Sequence, residues 1–78
     1  MNAVTITGDA LGVFKGTTSI DTLRADVYDD ISDARHYVAE GWYGGDEAKL
    51  HLSKMAADVA SVCFDCADAL NQAAADID

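Results

Sequence analysis

The spacing in this chain best placed for redox or metal chemistry is Cys63-Phe64-Asp65-Cys66. A C-x-x-C brings two sulfurs within reach of each other or of one metal ion, but context decides which use is open. Redox pairs of this spacing open a helix directly after a strand. Here the motif falls inside an apolar periodicity that continues on both sides, so it reads as a mid-helix position. A zinc site needs four ligands, and the chain has no second C-x-x-C. His51 stands ~18 Å away along a continuous helix, and His36 belongs to another segment. The two cysteines therefore read as small apolar residues of a helix stripe in a reducing compartment, with no metal and no cofactor expected.

Carboxylates offer the other candidate chemistry. Fourteen Asp and Glu stand against five Lys and Arg, a net charge of −9 on 78 residues. Acid–base catalysis needs a cavity that raises the pKa of one carboxyl group, and a domain this short has little room for one. No glycine-rich phosphate loop, nucleophile elbow or His-Glu metal motif is present. The chain reads as a non-catalytic protein with no catalytic residues. So negative a chain is unsuited to bind nucleic acid or an anionic membrane directly, yet it suits a nucleic-acid-binding protein. The plainer use of surplus acid is to keep a small protein soluble and monomeric.

The elements that would position these groups divide at glycines. Residues 1–78 form one domain, half of them apolar and none proline. Val4 to Thr7 alternate, Gly8-Asp9 makes a tight turn, and Ala10 to Phe14 follow with Leu11 and Val13 in phase. This predicts a β-hairpin over 1–17, with Gly8, Gly12 and Gly16 as turn and bulge positions. Thr18-Ser19-Ile20-Asp21 can cap a helix start. Ile20, Leu23, Val27, Ile31, Ala34 and Val38 then fall within an arc of roughly 80°, predicting a helix over 18–41. Ala48, Leu52, Met55, Val59, Val62, Cys63, Cys66, Leu70, Ala73 and Ile77 form a second stripe, predicting one helix over 46–77. The short Trp42-Tyr43-Gly44-Gly45 link sets the two helices antiparallel. The expected fold is α+β: a short β-hairpin packed on a two-helix hairpin, ββαα.

On the first helix Asp26, Asp29, Asp30, Asp33 and Glu40 occupy an arc of roughly 100°, with Tyr37 among them. Arg24 and Arg35 lie on the far side of the apolar stripe. The acidic row extends over ~21 Å. Glu47, Asp58, Asp65, Asp68 and Asp76 repeat the pattern on the second helix, interrupted by Lys54. Two such rows would approximate the charge of duplex DNA, at lower density than its one charge per ~1.7 Å. The candidate partner-binding residues are thus Asp26, Asp29, Asp30, Asp33, Tyr37, Glu40, Glu47, Asp58, Asp65 and Asp68.

Leu50, Ala57 and Phe64 sit opposite the second stripe. Either Val4, Ile6, Leu11 or Val13 of the hairpin covers them, or Phe64 is a binding anchor or a homodimer contact. Trp42 and Tyr43 divide in the same way between plugging the end of the core and binding. The N-terminus carries no targeting segment and no stretch reaches membrane-spanning length, so a cytoplasmic monomer is expected, a homodimer being the alternative.

By size, acidity and helix-borne carboxylates, the chain resembles the small acidic inhibitors of phages and mobile elements, among them DNA-mimicking anti-restriction and anti-CRISPR proteins. That resemblance implies blockade of a basic nucleic-acid-binding surface, such as that of a CRISPR effector complex in a bacterial host cell. The acids of the helix rows would carry it. A second, local resemblance lies in Trp42-Tyr43-Gly44 between two amphipathic helices, which is similar to the W-x-G turn of the WXG100 secreted helical hairpins. It implies an exported helix-turn-helix dimer. The Y-x-x-x-D/E export signal of that family has no counterpart after the second helix.

Overall fold

The computed structural model describes residues 3–6 and 16–77. In chain order the elements are β1 (Ala3–Ile6), β2 (Gly16–Ser19), α1 (Ile20–Ala39), α2 (Gly45–Val59) and α3 (Phe64–Asp76). The ββαα expectation is overturned. The molecule is mostly helical, with three helices among the described residues where two were expected.

Among the described residues the β pairing joins β1 to β2. Ala3–Ile6 lie antiparallel to Gly16–Ser19, with Val4 opposite Thr18 and Ile6 opposite Gly16. The turn expected at Gly8-Asp9 and the strand expected over residues 10–14 lie outside the described residues. The paired segment is instead the one that leads into α1. Thr18 is β-branched and favours extended backbone. Ser19 is extended as well, with φ −86° and ψ 155°. It must be, because it is the N-cap of α1 and its hydroxyl accepts the Thr22 N–H at 3.1 Å. The helix accordingly begins at Ile20 rather than at 18.

Leu23, Val27, Ile31 and Ala34 are buried along α1, and Ile20 and Val38 are half-buried at its two ends. The helix closes in a Schellman motif. Gly41, at φ +77°, donates its N–H to the Val38 carbonyl at 3.1 Å, and Trp42 donates to the Tyr37 carbonyl at 2.9 Å. Glycine occupies the left-handed position there without the steric penalty a Cβ brings. This stop also fixes Trp42 over Tyr37, which matters for the site.

The single helix expected over 46–77 is two helices. Val59 O accepts from both Val62 N (3.0 Å) and Cys63 N (2.8 Å), and the chain then becomes extended at Cys63 (φ −148°, ψ 90°). Cys63 is the N-cap of α3, its sulfur accepting the Cys66 N–H at 3.2 Å, and the two cysteines form a disulfide. They are buried as expected of stripe residues, but they are neither mid-helix nor reduced.

Length gives the physical reason for the break. One helix over 46–77 would extend ~48 Å against ~30 Å for α1, leaving ~18 Å with apolar residues and no partner. Turning back packs α3 on α2, the most extensive contact between elements. It buries Leu70, Ala73 and Ile77, and it draws in Ala56, Ala67 and Ala74, which lie off the expected stripe. Their small side chains let the helices approach closely.

Phe64 (78% exposed), Leu50 and Ala57 are exposed, so the described residues do not cover that face. At the α1–α2 link Tyr43 packs against the core, whereas Trp42 is 68% exposed. Trp42 is not the plug.

Candidate functional site

The two flanks of α1 meet different neighbours. On one flank Arg24 lies 4.0 Å from Asp65 of α3 and 3.8 Å from Asp21, and Arg35 lies 3.5 Å from Asp76 of α3. On the other flank Asp30 meets His51 of α2 at 3.0 Å. Both arginines of the described chain thus face α3, and the acidic row of α1 turns toward the α2 side.

The structure sorts the ten candidate residues accordingly. Asp26, Asp29, Asp33 and Glu40 are exposed, and none forms an ion pair with another described residue. Asp30 is half-buried at the α1–α2 seam and Tyr37 is 41% exposed beside it. Glu47 and Asp58 share the His51 side of α2 by helical spacing. Glu47 is exposed and Asp58 half-buried. Asp65 lies on the opposite flank, facing Arg24, and Asp68 points outward from α3. Asp30 therefore ties the α1 row to α2 through His51, while Asp65 of α3 faces the opposite flank.

Where α1 ends and α2 begins, a groove of about 500 Å³ opens between them, lined by Asp30, Asp33, Ala34, Tyr37, Trp42, Tyr43 and His51. Its walls follow from the local fold. Tyr37 sits one turn beyond Asp33 on α1, and the Schellman stop brings Trp42 back toward it. The Tyr37 and Trp42 rings lie 5.9 Å apart at 40°. His36 meets the Trp42 ring edge-on at 5.5 Å. Tyr43 stands edge-on to His51, with centroids 6.4 Å apart, and His51 in turn holds Asp30. The result is an open cleft with three aromatic walls and two carboxylates.

Of these lining residues, the helical periodicity singled out Asp30, Asp33 and Tyr37. It missed His51 altogether and left Trp42 and Tyr43 undecided. The available signal was a glycine immediately after the last helical turn followed by an aromatic, the sequence mark of a Schellman stop that folds an aromatic back onto the helix. Among the described residues no three His, Cys, Asp or Glu groups gather in a way that could hold a metal ion. No described helix is long and apolar enough to cross a membrane. No protein-family model, curated protein or solved structure matches the chain.

Proposed function

We propose that this chain is a non-catalytic acidic inhibitor that seats on a basic nucleic-acid-binding surface of a partner protein. By class it would be an anti-CRISPR protein, acting as a monomer in the cytoplasm of a bacterial host and blocking target-DNA binding by the effector complex. One observation carries this reading. The acids of α1 extend over ~21 Å by helical rise. Asp26, Asp29, Asp33 and Glu40 lie outside any ion pair among the described residues, while both arginines are engaged on the opposite flank. Like charges along one helix flank cost a few tenths of a kcal/mol per close pair. An incoming row of Lys and Arg turns that cost into attraction.

A WXG100-like hairpin has less support. The segment after the Trp42-Tyr43-Gly44 turn is two helices, not the single long helix that such a hairpin pairs with its first.

Target-DNA binding by purified CRISPR effector complexes, with and without this protein, tests the proposal. Inhibition should fade as the Debye length falls from ~10 Å at 0.1 M salt to ~3 Å at 1 M. Replacing Asp26, Asp29 and Glu40 by Lys spares the Asp30–His51 contact and the groove, and should abolish inhibition. Undiminished inhibition by that variant refutes the charge-row reading, and failure to inhibit any effector refutes the anti-CRISPR assignment.

A further inference from the structure

We infer that the groove between α1 and α2 is an arginine-binding pocket, which receives a guanidinium side chain of the basic partner. The inference rests on the reading of the α1 acidic flank as a surface for a basic protein, and it names the place where a single side chain is gripped. The row at Asp26, Asp29 and Glu40 attracts at a distance. The groove offers contact chemistry that the row lacks.

Three features point to a guanidinium. First, the walls are aromatic: Tyr37, Trp42 and Tyr43 present π faces or edges to the cleft, and Trp42 is 68% exposed although it is the chain's sole tryptophan. Aromatic faces attract cations through their quadrupole, tryptophan most strongly. Second, Asp30 and Asp33, one turn apart on α1, place two carboxylates on the same cleft. Asp30 is already held by His51, whereas Asp33 forms no ion pair among the described residues and remains available. Third, no arginine of the described chain fills the cleft: Arg24 and Arg35 face α3, and Lys54 lines the adjoining depression with Glu47 and Leu50.

Arginine fits better than lysine. A planar guanidinium can stack on one ring while its edge N–H groups reach a carboxylate in a fork, whereas an ammonium offers a point charge with a tight hydration shell. At about 500 Å³ the cleft has room for a long side chain and some of the backbone that carries it. Its openness to solvent at Trp42 suits a side chain presented by a macromolecule.

The test uses acetyl-Gly-Arg-Gly amide as probe, with its lysine and citrulline counterparts, and reads the emission of Trp42 at low salt. Backbone amide shifts of Tyr43 and His51 give a second reading should the emission stay silent. The arginine peptide should give a saturable change, the lysine peptide should bind a few-fold more weakly, and the neutral citrulline peptide at least tenfold more weakly. Tyr37→Leu keeps apolar bulk but removes the ring, and Asp33→Asn removes the carboxylate charge. Each should weaken binding about three- to tenfold, and both retain Trp42.

Asp21→Asn removes the same unit of charge from the first turn of α1, away from the groove, and should leave binding unchanged. Equal weakening by Asp21→Asn, binding of citrulline as tight as arginine, or no saturable change in either reading overturns the pocket. Loss of the pocket with effector inhibition still governed by Asp26, Asp29 and Glu40 leaves the inhibitor reading standing. Arginine binding without inhibition of any effector does the reverse.

Discussion

Gly41 tests whether the α1 stop and the groove are one structure. Its φ is +77°, and no heavy atom lies within 4 Å of where a Cβ would stand. A left-handed backbone costs an L-residue about 1–2 kcal/mol. The whole penalty of Gly41→Ala is therefore backbone strain, with no steric clash added. For a 60–100-residue domain, each kcal/mol moves the melting midpoint by about 4–8 °C, so a fall of roughly 4–16 °C is expected by far-UV circular dichroism. Relief of that strain by leaving the left-handed region would break the Trp42-to-Tyr37 hydrogen bond and separate their rings. Trp42 emission should then shift toward that of a fully hydrated indole, with arginine-peptide binding falling in parallel. Gly41→Asn should lose less, because asparagine tolerates this region better. Gly44→Ala is the control, since Gly44 has ordinary helix-entry backbone (φ −68°, ψ 144°) and only the flexible Glu47 carboxylate approaches its Cβ position, at 3.3 Å. A Gly41→Ala variant that melts within about 1 °C of the wild type refutes the Schellman geometry, and with it the account of how Trp42 is placed.

Other perturbations separate core from surface. Leu70 is fully buried between α3 and its neighbours. Leu70→Ala should cost about 2–5 kcal/mol in urea titration, a large part of the roughly 4–12 kcal/mol expected of a domain this size. Phe64 and Leu50 are exposed. Replacing either by Ala should change stability by no more than about 0.5 kcal/mol, and a large loss would mean that something covers that face. Thiol titration of the denatured, unreduced protein should find no free thiols, because Cys63 and Cys66 are bonded to each other. Reduction should cost no more than about 2 kcal/mol, since the loop they close is short. Two titratable thiols before reduction would refute the disulfide. Arg35→Gln removes a bridge whose partners are both 56% exposed. Stability should change by no more than about 0.5–1 kcal/mol in thermal melts, while partner binding holds or tightens as net charge falls further.

The α1 helix was legible because its signals agree: an apolar stripe, a serine cap and a glycine stop lie at the right spacings, and the expected bounds of 18–41 overran the helix by two residues at each end. The break at residues 60–63 was not legible from composition. Residues 46–77 hold no glycine after Gly45 and no proline, and the stripe continues through Val62, Cys63 and Cys66 in helical phase. What breaks the helix is tertiary. A second helix half again as long as the first has apolar surface that only a third helix can cover, and Cys63 supplies the cap at the place where the chain turns. The site was half legible for a related reason. Periodicity assigns residues to a flank of their own helix, so it found Asp30, Asp33 and Tyr37. It cannot say which neighbour that flank meets, so His51 and the walls from the link went unrecognised.

The break also decides where the surplus charge ends up. Had 46–77 stayed one helix, its acids would have formed a single flank, and α1 would have had no α3 beside Arg24 and Arg35. By folding back, α3 brings Asp65 and Asp76 to those two arginines and makes local pairs of opposite charge on that side of the molecule. Such exposed pairs contribute little to stability, at most about 1 kcal/mol each. Their consequence is local: Arg24 and Arg35, which helical phase already sets on the far flank, are paired there, while Asp26, Asp29, Asp33 and Glu40 carry four negative charges outside any ion pair among the described residues. Fields from exposed charges decay over ~8–10 Å in physiological salt, so an arginine on the other side of the helix does little to quiet that row. The same fold-back that completes the core therefore offsets charge on the arginine flank and leaves the acids uncompensated on the flank where the aromatic groove opens.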